Sequence, residues 1–239
     1  SWLADVAAAG RAGYALDVRG YGDSERPPEL DAPAEEGEPV VRAETAAQDA
    51  AAALDAVRET FETVHLVGYS WGSMTAGVLL EDLGAEVASL VQYAPVYSPA
   101  ADRAADFSPG DPPAAYRTVT EADTRERWAS QRPDPVPAGA FDAFWETIAS
   151  SGQGVDDGDA IVAPNGTLVD LAEASAGDRP YVPEDIDVPT LVIRGSLDPT
   201  STRDDALGVY DRLAVPNDRS VYAEIEGGTH FVHLEHRRE

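Results

Sequence analysis

Between Val64 and Leu80 the chain reads VHLVGYSWGSMTAGVLL, an apolar run that enters Gly-x-Ser-x-Gly and continues into a helical pattern with no spacer. Val64, Leu66 and Val67 predict a short buried strand, and Ser73 to Leu83 predict a helix from the spacing of their apolar positions. If strand and helix join in one tight turn, the apical residue takes an unusual backbone conformation. Its neighbours two positions away must then be small, as Gly68 and Gly72 are. Ser70 would stand at the carboxyl end of the strand, above the amino end of a helix whose backbone N–H groups can stabilise an anion. That is the nucleophile-elbow arrangement; the motif alone leaves open a glycine-flanked βα turn with an incidental serine.

Around this turn, strands and helices alternate. Residues 1–9 predict the tail of a helix with Trp2, Leu3 and Val6 as its apolar stripe, and Tyr14 to Val18 predict a strand. The loop RGYGDSERPP follows, then a proline-rich acidic connector over residues 27–39 and a long helix over 43–61. Further strands are expected at 87–93, 190–194 and 220–225, with a helix over 203–213 between the last two. Such alternation implies an α/β fold with a mostly parallel sheet covered on both faces. Residues 96–185 break the rhythm. They are rich in proline, glycine and acid and are expected to form a cap or lid of irregular helices inserted into a core made of residues 1–95 and 186–239. In that insertion Phe141, Phe144, Trp145 and Ile148 fall at helical spacing. The stripe either packs onto the main domain or lines a substrate pocket over Ser70.

A length of 239 residues suits one large α/β domain with an insertion. The chain has no cysteine, which rules out disulfides, thiolate chemistry and Cys-based zinc sites. No apolar run approaches the ~18 residues of a membrane span. No secretory leader is visible, though the chain opens at Ser1 rather than Met and leaves an upstream leader open. Acidic residues number 44 against 17 basic ones, every one of them arginine. A net charge of −27 argues against nucleic-acid and anionic-membrane partners. Acidic excess without lysine resembles proteins of salt-loving archaea, whose cytoplasm is rich in potassium chloride; molar salt screens such repulsion within ~3 Å. The charge is read as a solvent adaptation, and the expected partner is a small-molecule substrate.

Serine is a weak nucleophile near neutral pH and needs a base, which in turn needs an orienting group. Of the four histidines, His65 lies in the strand before the elbow, on the wrong side of the turn. His230, His233 and His236 lie together in GGTHFVHLEHRRE. His230 follows a glycine pair after the last strand, at the carboxyl edge where a base must lie, whereas His233 and His236 are expected at the start of a surface helix. Their spacing could hold a metal, but no carboxylate or further histidine looks placed to complete the set. For the acid, TLVIRGSLDPTS offers Asp198, four residues past a strand end. Asp187 precedes that strand, and Asp204 and Asp205 are expected to be solvated on the following helix. The order Ser70, Asp198, His230 matches a serine, acid and histidine on an α/β sheet.

The blocks DVRGYGDSERP, VHLVGYSWGS, LVQYAPVYSP, VPTLVIRGSLDPTS and EGGTHFVHLEHR together resemble the α/β-hydrolase superfamily, in the branch with a cap between its sixth and seventh strands. The resemblance implies Ser70 as nucleophile, His230 as base, Asp198 as the acid holding it, and the backbone N–H of Trp71 as one half of an oxyanion hole, with neither cofactor nor metal. Gly-x-Ser-Trp-Gly is similar to prolyl aminopeptidases and to esterases of that branch. Against the family pattern the first three strands are missing, and with them the loop that supplies a second oxyanion donor, so the chain is expected to be a fragment. The expected function is a serine hydrolase of a small, neutral or apolar ester or amide. A cofactor-independent lyase or perhydrolase, or a ligand-binding protein on the same fold, is the alternative.

Overall fold

A computed structural model describes residues 2–97, 107–108, 110–111, 113–131, 136–216 and 218–236. The helices are α1 (Trp2–Ala8), α2 (Ala43–Arg58), α3 (Trp71–Glu81), α4 (Glu121–Ser130), α5 (Ala140–Ala149), α6 (Gly166–Ser175) and α7 (Arg203–Tyr210). The strands are β1 (His65–Tyr69), β2 (Ser89–Tyr93), β3 (Tyr116–Thr120), β4 (Gly154–Val155), β5 (Ala160–Pro164), β6 (Thr190–Gly195) and β7 (Ser220–Ile225). Among the described residues no helix is long and apolar enough to cross a membrane.

Strands β1, β2, β6 and β7 form a parallel sheet in the order β1-β2-β6-β7, with Tyr69 beside Tyr93 and Thr190 beside Ser220. Leu90 and Val192 are buried in this sheet. Onto them pack Met74, Val78 and Leu79 of α3, Ala43 and Ala47 of α2, and Ala206 and Val209 of α7. Ser73 to Leu79 are all buried, which fits an α3 sequence that is apolar round most of its circumference. The alanine-rich α2 sequence has high helix propensity and brings its backbone close to α3 without bulky side chains. Helix α7 begins with a capping box in which Thr202 and Asp205 satisfy each other's backbone N–H groups. Asp205, expected to be solvated, is therefore fully buried.

Three expectations change. Among the described residues Tyr14 to Val18 pair with no strand: β1 stands at the edge of its sheet, and Tyr14 and Leu16 are exposed. An extended run becomes a strand only when a ladder forms beside it. The stripe of α1 is likewise unburied, with Trp2 and Leu3 exposed. The segment expected to be a purely helical cap contains, besides α4, α5 and α6, an antiparallel sheet in the order β3-β5-β4. That second sheet is tied to the loop after Val18. Gly22 N–H donates to Gln153 Oε1 at 3.1 Å, and Gly152 N–H donates to Asp23 Oδ1 at 3.1 Å.

Candidate active site

Ser70 joins β1 directly to α3 with φ 54° and ψ −122°, a backbone conformation costly for any residue with a side chain. Hydrogen bonds over-determine it. Ser70 N–H donates to the Tyr93 carbonyl at 2.9 Å, and the Ser70 carbonyl accepts both the backbone N–H of Ser73 (2.9 Å) and its hydroxyl (2.6 Å). A Cβ on Gly68 would lie 2.4 Å from the Gly72 carbonyl oxygen, so the strand can pass the helix only as glycine. At Gly72 the expectation fails, because a Cβ there would meet nothing within 4 Å.

His230 follows the Gly227–Gly228 turn after β7 and is 2% exposed. Its Nε2 lies 2.9 Å from Ser70 Oγ, and its Nδ1 lies 2.8 Å from Asp198 Oδ2. An ionised carboxylate only accepts, so Nδ1 carries the proton and Nε2 is left to accept from the Ser70 hydroxyl. Asp198, in the turn after β6, is buried, and its Oδ1 accepts the N–H groups of Thr200 (2.8 Å) and Ser201 (2.9 Å). Sequence reasoning missed the brace behind this turn. Buried Arg194 donates to the carbonyls of Asp198 (3.2 Å) and Ser201 (2.9 Å) and pairs with Glu224 at 2.6 Å.

A second brace holds His230 from below. The Tyr69 hydroxyl donates to the His230 carbonyl at 2.8 Å, and its ring stacks on Tyr93 at 4.7 Å. Burial pushes both phenols well above the ordinary tyrosine value, so they remain donors. Tyr93 in turn accepts the backbone N–H of His233 at 3.2 Å and lies 2.9 Å from its Nδ1. His233 thus sits in a single 3₁₀ turn (Val232–Leu234), partly buried, rather than on a surface helix; His236 is exposed. His65 bonds Ser89 Oγ at 2.8 Å, at the far end of β1 from Ser70. Among the described residues no group of three or more His, Cys, Asp or Glu side chains could hold a metal ion.

Burial first, and His230 second, lower the His233 pKa to about 4. Between its ordinary value near 6.5 and that value, the unfolded chain takes up a proton that the native protein refuses. Stability present above about pH 6.5 is therefore lost as pH falls, by about 2 kcal/mol at pH 5. Melting curves at pH 7 and pH 5 are expected to show a larger loss in the native sequence than in His233→Gln. An equal loss in both would contradict a neutral, partly buried His233.

Phe141 and Trp145 are buried against Trp128, with Phe144 and Ile148 packed at the side of the cluster, so the stripe's first role is packing. The cluster reaches the Ser70–His230–Asp198 end of the molecule through Phe231, whose ring stacks on Trp128 at 4.8 Å and lies 5.9 Å from the His230 ring. Trp71, the first residue of α3, points its indole N–H at Asp170 Oδ2, 2.8 Å away.

The sequence profile of a family described as "alpha/beta hydrolase fold" matches residues 1–237. No curated protein matches the chain. Among solved structures, it is similar to E-2-(acetamidomethylene)succinate hydrolase (19% identity, TM-score 0.61, 97% of this chain and 79% of that one). It is similar also to a thermophilic esterase from Thermogutta terrifontis (16%, 0.57, 93% and 74%). A third is a bromoperoxidase from Bacillus anthracis (20%, 0.55, 92% and 75%). At these identities the likeness is one of fold.

Proposed function

The chain belongs to the α/β-hydrolase fold family, and from that premise we propose that it is a serine hydrolase cleaving an ester or amide bond of a small, neutral or apolar substrate. One observation carries the reading: the unbroken hydrogen-bonded line from Ser70 Oγ through His230 to Asp198. His230 Nε2 takes the hydroxyl proton as Ser70 Oγ attacks the carbonyl carbon, and then gives it to the leaving group. Asp198 holds the ring in the required tautomer and stabilises the imidazolium. The backbone N–H of Trp71, at the amino end of α3, supplies one donor to the tetrahedral oxyanion. Water then attacks the acyl-Ser70 ester, with His230 as base, and releases the acid.

Residues 96–185 serve as the cap in this reading, and the Phe231–Trp128 contact supports an apolar rim beside His230. Names of the structural neighbours that include an esterase and a hydrolase agree with acyl chemistry. The test is turnover of p-nitrophenyl esters of increasing chain length together with fluorophosphonate labelling. Turnover with one label per chain, at Ser70, is expected. Binding of an ester analogue with neither turnover nor label would overturn the reading in favour of a ligand-binding protein.

A further inference from the structure

We propose that Asp170 is a positioning residue for the turn that carries Ser70, acting through the indole of Trp71. The proposal rests on the serine-hydrolase reading above, in which the Trp71 backbone N–H faces the oxyanion. The Trp71 indole N–H donates to Asp170 Oδ2 at 2.8 Å. The same oxygen accepts the N–H of Ala43, the first residue of α2, at 2.8 Å, and Arg42 bonds the other oxygen. Asp170 is 3% exposed. Tyr21 packs its ring 6.1 Å from the indole and places its hydroxyl 2.9 Å from Thr167 Oγ1, one turn before Asp170 on α6. Helix α6 therefore holds the residue after the nucleophile at two points.

Burying a carboxylate is costly even when it is paired, and an apolar side chain could have filled this space. Packing alone would seat the ring but leave its rotation loosely set. A hydrogen bond from a ring N–H to a carboxylate that is itself held by Arg42 and the Ala43 N–H sets both. That precision matters because Ser70 is strained at φ 54° and relaxes unless the chain is held on either side. Tyr93 holds the strand side through the Ser70 N–H, and Asp170 holds the helix side through Trp71. A slackened Trp71 would move its backbone N–H away from the oxyanion, which affects the transition state more than the bound substrate.

Trp71→Phe keeps a ring and removes the N–H, leaving Asp170 with Arg42 and Ala43. With a p-nitrophenyl ester, its kcat is expected to fall roughly ten-fold while KM stays within about two-fold. Asp170→Asn, whose amide oxygen can still accept from the indole, is expected to keep most of the kcat that Asp170→Ala loses. In a Trp71→Phe background, Asp170→Ala is expected to lower kcat by less than about two-fold more. Full kcat in Trp71→Phe would overturn the proposal, as would losses that multiply in the double variant. If Asp170→Ala does not fold, Trp71→Phe decides alone. Failure of the underlying hydrolase reading registers separately, as a native protein that takes no fluorophosphonate at Ser70.

Discussion

Ser70→Ala is expected to lower ester turnover by ~10⁴ or more while leaving substrate affinity nearly unchanged. The substitution removes one oxygen atom, the one 2.9 Å from His230 Nε2. Stability is expected to change little. Alanine meets the same backbone strain at φ 54° as serine, and the bonds that hold the turn run through the Ser70 backbone. The measurement is kcat with a p-nitrophenyl ester beside a melting curve. Retention of more than about a hundredth of the native rate would mean that another group attacks the substrate.

Asp198→Asn is expected to produce a loss of similar order, ~10⁴-fold, with the fold intact. The neighbours of Asp198 determine why. Its Oδ1 already accepts two backbone N–H groups, from Thr200 and Ser201, while Oδ2 faces His230 Nδ1. Asparagine offers one oxygen and one NH₂. Serving the two backbone donors turns the NH₂ toward the imidazole and selects the tautomer with its proton on Nε2, which cannot accept from Ser70. The opposite rotamer leaves two backbone donors, one of them buried, facing another donor, at about 1–3 kcal/mol for the buried one. A residue serving only to cap α7 would show no loss, since asparagine caps as well as aspartate, but Thr202 holds that cap. Turnover within ten-fold of native by Asp198→Asn would remove the residue from the mechanism.

The distinction between legible and illegible features follows from how far apart in the chain the partners lie. The β1–Ser70–α3 turn could be read because its constraints are local: apolar strand, glycine at the close approach, helix. Asp198 and His230 could be read because each follows directly on a strand whose carboxyl end faces the same edge. Arg194, Tyr69 and Tyr93 could not, since nothing in RGSLDP or VHLVGY says that a side chain will reach a carbonyl 4 or 161 residues away. Asp170 was hidden for the same reason, 99 residues from Trp71. The β3-β5-β4 sheet escaped because YRTVT and AIVAP are separated by two helices and meet only through antiparallel register. Tyr14 to Val18 show the converse: the local pattern of a strand is present, and among the described residues no ladder forms beside it.

The left-handed backbone of Ser70 has a meaning on the scale of descent as well as of chemistry. At φ 54° and ψ −122°, glycine is the residue that would relieve the strain, by about 1–3 kcal/mol. A lineage released from the need for this reaction would gain stability by a mutation to glycine at position 70 and lose nothing it still used. Drift and stability therefore push this position in one direction, and only selection on turnover pushes back. In the proposed reading, serine holds position 70 against that push because turnover requires its hydroxyl.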